Sequence, residues 1–102
     1  MVAIQKTQFP FTKTEFITAV KADRYQLNKH AKVQSYKRDI DESLIKLALL
    51  KGEWTEPDPL ANPPKVCVHY YTSGGELKIV TSFDLQRQIV YVITVFFIEK
   101  RR

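Results

Sequence analysis

The spacing of apolar and polar residues divides the chain into a helical first half and a strand-forming second half. Apolar residues recur at helical spacing after position 12, where Thr12 or Thr14 is suited to cap a helix. One face of that segment carries Phe16, Ile17 and Val20. The pattern therefore predicts a short amphipathic helix that runs to about position 22.

Two further helices are predicted between positions 28 and 52. Asn28 is a good cap residue for a short helix that runs to about position 37. Asp41 is placed to cap the next helix, and Ile40 and Ile45 are spaced for a hydrophobic staple around that cap. This third helix is apolar over most of its circumference and should be well buried. Gly52 is its expected end.

From position 53 onward the signals change to strands and turns. A short strand is predicted at 53–55, a loop at 57–64, and three longer strands at 65–72, 76–83 and 89–98. Ser73-Gly74-Gly75 indicates a hairpin, and 84–87 is expected to turn the chain into the last strand. That strand is apolar on both faces, which is typical of a central strand covered on both sides.

These elements predict one α+β domain spanning residues 1–102. We expect an extended arm at 1–12, a helical part at 13–52 and an antiparallel sheet of three to four strands at 53–98, with the helices packed on the sheet. The apolar arm contains Phe9-Pro10-Phe11, and proline disfavours helix in the residue before it. The arm either covers a sheet edge or docks a second copy, and the oligomeric state stays open.

The charge balance favours an anionic partner. The 102 residues include 16 Lys and Arg against 11 Asp and Glu, for a formal net charge of +5. RNA, DNA, an acidic protein and a membrane surface all fit such an excess, because net charge bears on association and not on fold.

Metal, cofactor and membrane functions are not expected. Cys67 is the single cysteine, and no Cys/His cluster has zinc-ligand spacing. The first residues lack the apolar core of a signal peptide, and the longest apolar run, 89–98, is about half of a membrane span. We therefore expect a cytoplasmic protein without metal or cofactor.

His30 lies in the first turn of the second predicted helix. A helix N-terminus carries unsatisfied N–H groups that attract phosphate. A histidine beside a bound phosphate is suited to general acid–base cleavage of RNA, since its pKa lies near neutrality. The alternative is a half-exposed histidine that hydrogen-bonds the backbone, and His30 alone does not decide between them.

Arg38 follows eight positions later, about 80° around an unbroken helix from His30. The two side chains converge only if the helix ends at Arg38 and the chain bends toward the cap at Asp41. Arg38 then either grips a phosphate through two N–H groups or pairs with Asp39 or Asp41.

Alternation along the strands assigns other polar residues to faces. Cys67, His69 and Tyr71 share one face of their strand. His69 and Tyr71 beside lysines either stack a nucleic-acid base or pair across strands. Thr94 is the single aliphatic hydroxyl of the last strand, and it is either a β-branched filler or a polar group aimed at a cleft.

A longer pattern runs through positions 24–56, which read RYQLNKHAKVQSYKRDIDESLIKLALLKGEWTE. It resembles a bacterial family catalogued only as a domain of unknown function. The residues that lie on the family's pattern are Tyr25, His30, Ala31, Gln34, Arg38 and Ile40. Downstream, Ile93-Thr94-Val95-Phe96 is similar to the motif that ends the family's paired strands, so the resemblance covers roughly 24–97.

The family is similar in its expected fold to the RelE/ParE toxin superfamily of small basic α+β domains, many of whose RelE-like members cut RNA. The resemblance implies that His30, Arg38 and Thr94 line one cleft, and with Lys78 they form the predicted catalytic set. We also predict a nucleic-acid-binding set, which comprises Lys29, Lys37, His69, Tyr71 and Arg87. Many family members carry a histidine where this chain has Lys78, and a lysine is a poor proton shuttle near neutral pH.

Two functions follow from this resemblance. The first is a toxin-like, metal-independent endoribonuclease of RelE-like type, with RNA as substrate and an antitoxin-like protein as partner. The second is a non-catalytic basic module that binds nucleic acid or a protein partner, as ParE-like proteins bind gyrase. A purely structural accessory domain stays open but explains neither the charge nor the pairing of His30 with Arg38.

Overall fold

The computed structural model describes residues 10–99, which form three helices and five strands. The helices are α1 (Lys13–Lys21), α2 (Lys29–Lys37) and α3 (Glu42–Lys51). The strands are β1 (Tyr25–Leu27), β2 (Glu53–Asp58), β3 (Lys65–Thr72), β4 (Gly75–Asp84) and β5 (Ile89–Glu99). The predicted α+β class is confirmed. Among these helices, none has the length and apolarity to span a membrane.

The strands form one mixed sheet in the order β1-β5-β4-β3-β2. Strands β2 to β5 make an antiparallel meander, while β1 pairs in parallel with β5, with Tyr25 opposite Val90. The prediction of three to four antiparallel strands is therefore wrong, because the three-residue β1 was missed. So short a strand shows no periodicity of its own, and its partner lies far along the chain.

Capping residues set the starts of all three helices as predicted. Thr12 and Glu15 form a capping box before α1, Asn28 caps α2, and Asp41 caps α3. In the box, the Thr12 Oγ1 accepts from the Glu15 N–H at 3.0 Å, and the Thr12 N–H donates to Glu15 Oε1 at 2.9 Å. Local side-chain chemistry thus decides where each helix begins.

Gly52 ends α3, as predicted. Its φ is −73°, so a glycine is not required there for a left-handed backbone. A Cβ at this position would lie 2.4 Å from Val68 Cγ1 and 2.7 Å from the carbonyl oxygens of Ala48 and His69. Gly52 therefore lets the end of α3 pass directly against β3. The following strand β2 continues to Asp58, so the predicted loop at 57–64 begins two residues later.

The core contains a cluster of four aromatic rings. Phe11 lies 4.7 Å from Phe83 and 5.4 Å from Trp54 between ring centroids, and Phe16 lies 5.3 Å from Trp54. Phe11, at the end of the predicted arm, is 2% exposed and belongs to the core. Residues 1–9 of that arm, Phe9 included, lie outside the described residues.

The described helices cover one face of the sheet. Alternate residues of the central strands point toward them and are fully buried, among them Val68, Leu77, Ile79, Val92 and Val95. We call the opposite face the open face. Phe96 and Ile98 of β5 lie on it and are 40% and 55% exposed. The expectation that β5 is covered on both sides is therefore wrong, although β5 is an interior strand.

A bulge in β5 sets which residues reach the open face. Val80 pairs with Thr94 and Thr81 pairs with Val92, so Ile93 is an extra residue of β5. The extra residue changes the alternation, so that Val92 and Val95 are both buried. Thr94 and Phe96 consequently lie on the open face.

Candidate nucleic-acid interface

Helix α2 is a basic helix with an exposed surface. Positions 29–38 carry Lys29, His30, Lys32, Lys37 and Arg38 and contain no acidic residue. All five of these side chains are exposed, and within residues 10–99 none makes an ion pair or a side-chain hydrogen bond. The positive charge of the four Lys and Arg side chains is therefore available to an external anion.

Two contacts hold α2 along the edge of β5 beyond the end of β1. The backbone N–H of Asn28 donates to the Val92 carbonyl at 2.9 Å. Three residues later Ala31 is fully buried in the core, and the Val95 N–H donates to Gln34 Oε1 at 2.9 Å. Gln34 thus satisfies a β5 edge group that lies past the last residue of β1.

Helical periodicity assigns the flanks of α2. The flank with Lys32, Ser35 and Tyr36 lines an open groove toward Ile40 and Glu42, on the α3 side. His30 lies about 160° around the helix from Lys32. With Val33, it therefore lies on the flank that borders the open face, whereas Lys37, near the end of the helix, also lines the groove.

The structure separates His30 from Arg38 along α2. His30 lies in the first turn, and Arg38 is the C-cap residue, so their backbones are about 12 Å apart along the axis. The helix does end at Arg38, and the chain then turns through Asp39, whose φ is +55°. Neither side chain touches Asp39 or Asp41 through a hydrogen bond or ion pair in the described part of the chain.

The open face brings together four other residues of the predicted sets. His69 of β3 is directly opposite Lys78 of β4, and Lys78 is directly opposite Phe96 of β5. On the same face, Thr94 lies opposite Val80, two residues from Phe96 along β5. Tyr71 lies on this face as well, opposite Glu76 and toward the β3–β4 hairpin. Lys78, Thr94, His69 and Tyr71 therefore share one surface, beside α2.

Carboxylates on the open face contact the side chains of Lys78 and His69. Lys78 Nζ lies 2.9 Å from Glu56 Oε2, and His69 Nδ1 contacts Glu76 Oε2. The hydrogen bond with Lys78 lowers the pKa of Glu56, and the same bond raises the pKa of Lys78. At neutral pH Lys78 is therefore paired with Glu56, and the carboxylate offsets the attraction of Lys78 for a phosphate.

Nε2 of His69 is buried without a hydrogen-bond partner in residues 10–99. The contact between Nδ1 and Glu76 fixes the orientation of the ring, as a carboxylate does for many catalytic histidines. A substrate could not reach the buried Nε2, however, in this arrangement. The sequence pattern did not reveal this contact, because Glu76 pairs with Tyr71 and comes diagonally beside His69 only through the β3–β4 register.

Arg87 and Cys67 do not contribute to the exposed surface that these four residues form. Arg87 is exposed in the turn before β5, about 23 Å along that strand from the level of Phe96. Cys67 lies on the open face but is buried, and burial raises the pKa of its thiol, as does the negative charge of Glu56. Among residues 10–99, no three His, Cys, Asp or Glu side chains are grouped to hold a metal ion.

The described residues define an α+β domain in which a basic helix borders an open sheet face. Residues 27–97 match the family described as "Domain of unknown function (DUF4258)", and the chain belongs to that family. The matched region contains α2, α3 and β2 to β4, with most of β5, whereas α1 precedes it. No curated protein and no solved structure matches the chain.

Proposed function

We propose that this domain binds RNA through the basic surface of α2. The observation that carries the proposal is that the exposed cations of this helix, which include Lys29, Lys37 and Arg38, have no ion-pair partner among residues 10–99. Phosphate groups supply most of the affinity of proteins for nucleic acids, and exposed Lys and Arg side chains are their usual partners.

The residues of the family-like pattern fall into two groups, and the division supports a role for α2 in binding. Ala31 is buried, Gln34 accepts the Val95 N–H, and Tyr25 and Ile40 pack against the core. His30 and Arg38 are exposed and have no such structural contacts among residues 10–99. The α+β architecture is also compatible with a RelE/ParE-like domain, which we include in the proposal.

Charge neutralisation on α2 tests the proposal. We expect the triple variant Lys29→Gln, Lys37→Gln, Arg38→Gln to raise the Kd for an RNA oligonucleotide at least tenfold. Three lost phosphate contacts should also reduce the slope of log K against log salt by about 2. Fluorescence anisotropy of labelled RNA at several salt concentrations measures both quantities.

The matched control removes the same charge elsewhere. Lys21, Arg24 and Lys51 are exposed outside α2, and their replacement by Gln should leave the affinity and the salt slope nearly unchanged. Equal losses of affinity in the two triple variants would mean that RNA binding depends only on net charge, which would contradict the assignment to α2. A wild-type protein that fails to bind RNA would overturn the proposal and favour a protein partner.

A second candidate function is metal-independent RNA cleavage, as in RelE-like toxins. It is favoured by His30, which is exposed beside the cations of α2 and has no side-chain partner within the described residues 10–99. In this reaction the RNA 2′-oxygen forms a bond to the adjacent phosphorus, and the bond from phosphorus to the 5′-oxygen breaks. His30 takes the proton of the 2′-hydroxyl or delivers one to the leaving 5′-oxygen. Arg38 would contact a phosphate about 12 Å along α2 from His30, Lys78 would have to exchange Glu56 for the phosphate, and Thr94 would orient it.

For the second candidate, His30→Ala should lower the cleavage rate about 100-fold or more, while a chelator should leave the wild-type rate unchanged. Labelled RNA incubated with EDTA and resolved on a denaturing gel measures both, and the products should end in a 2′,3′-cyclic phosphate. His69→Ala is the matched control, because the Nε2 of His69 is enclosed. Cleavage that persists in His30→Ala, or that EDTA abolishes, would contradict this mechanism.

A further inference from the structure

The open face beside α2 exposes aromatic and apolar side chains that have no role in the core. Tyr71 is 63% exposed, Phe96 40% and Ile98 55%. Tyr71, Glu76 and Ile98 line a groove near the hairpin end of the sheet. Exposed aromatic rings on an open sheet are the feature on which single-stranded nucleic acids stack their bases.

The open face and α2 differ in whether their basic side chains are paired with carboxylates. On the open face, Lys78 is paired with Glu56 and His69 with Glu76. On α2, the cations are unpaired within residues 10–99. A polyanion that lies on both surfaces would therefore place its phosphates on α2 and its uncharged bases on the sheet.

The geometry brings these surfaces into contact at Phe96. Gln34 of α2 accepts the N–H of Val95, the residue directly before Phe96. His30 lies on the flank of α2 that borders the open face. Tyr71 lies two strands from β5, about 10 Å across the sheet from it. One strand of nucleic acid can reach α2, Phe96 and Tyr71 in turn.

We propose that the open face binds single-stranded RNA, with one base stacked on Phe96, a second on Tyr71 and the phosphates on α2. This inference rests on the RNA binding proposed above and adds the form of RNA that is bound. A duplex offers no free base faces, so the aromatic rings would contribute little to its binding. RNA is the expected ligand because its loops and ends present unstacked bases.

The test compares the effects of aromatic substitutions on the binding of two forms of RNA, and it includes single-stranded DNA for comparison. We expect Phe96→Ala to raise the Kd for a single-stranded RNA about tenfold and to leave the salt slope unchanged, because no charge is removed. Tyr71→Ala should act in the same direction, whereas Phe96→Trp and Tyr71→Phe should retain the affinity. Binding of the corresponding RNA duplex should not change in any of these variants, and single-stranded DNA should bind more weakly than RNA.

Tyr36→Ala is the matched control, because Tyr36 is 87% exposed but lies on the other flank of α2. If the triple α2 variant loses affinity while Phe96→Ala and Tyr71→Ala do not, the stacking surface is overturned and RNA binding by α2 stands. If the wild type binds no RNA, both proposals fail. A larger loss for Tyr36→Ala than for Phe96→Ala, or tighter binding of single-stranded DNA, would also overturn this inference.

Discussion

Replacing Gly52 with alanine is expected to destabilise the protein by about 3 kcal/mol. The added Cβ would lie 2.4 Å from Val68 Cγ1 and 2.7 Å from two backbone oxygens, so α3 would have to move away from β3. Neither the stiff valine side chain nor the paired backbone can yield without breaking other contacts. Urea unfolding followed by the fluorescence of Trp54, the single tryptophan, measures the loss.

Gly74→Ala provides the control for this prediction. The nearest atoms to a Cβ on Gly74 are 3.9 Å away, which is ordinary contact. Its free energy of unfolding should stay within about 0.5 kcal/mol of the wild type. If the two variants unfold at the same urea concentration, the close passage of α3 against β3 is contradicted.

Phe83→Ala is expected to lower the free energy of unfolding by about 3–5 kcal/mol. Phe83 is fully buried, and its ring centroid lies 4.7 Å from that of Phe11. Truncation leaves a cavity beneath the aromatic cluster that the surrounding strands cannot close. The same urea titration measures this loss.

Phe96→Ala is the matched substitution on the open face. Phe96 is 40% exposed, so its removal should lower the free energy of unfolding by only about 1 kcal/mol or less. Equal losses for the two phenylalanines would contradict the assignment of faces in β5. The expected difference also means that reduced RNA binding by Phe96→Ala would reflect a lost contact and not unfolding.

The features that depend on neighbouring residues were predictable from sequence. Thr12, Asn28 and Asp41 were named as cap candidates, and each caps a helix, because a cap forms between residues two or three positions apart. The predicted strand at 65–72 is confirmed, and those at 76–83 and 89–98 agree with β4 and β5 to within one residue at each end, because alternation and turn residues mark their limits.

The features that depend on distant pairing were not predictable. The strand β1 is defined by Val90 and its neighbours, and nothing in residues 25–27 alone requires a strand. The bulge at Ile93 likewise left no sign in a run of apolar residues, and it alone decides that Val95 is buried while Phe96 is exposed. An apolar strand in an interior position does not show by itself which of its faces is covered.

The candidate site divides in the same way. Alternation correctly placed His69 and Tyr71 on one face, and the ending of α2 at Arg38 was considered from the sequence. The partners of His69 and Lys78 were missed, because Glu76 comes diagonally beside His69 through strand register and Glu56 reaches Lys78 from an irregular point of β2. The role of Gln34 was also missed, since its acceptor contact is with a backbone group 61 positions away.

The dependence of α2 on β5 has a consequence for synthesis of the chain. The hydrogen bonds that hold the helix, from Asn28 N–H to Val92 and from Val95 N–H to Gln34, are made with β5, which follows the other described elements along the chain. A nascent chain that ends before position 89 contains all the cations of α2 but lacks the strand to which this helix is hydrogen-bonded. The position of the basic helix and the presence of Phe96 beside it therefore both depend on β5, so a chain that lacks this strand has no assembled surface for a ligand to occupy.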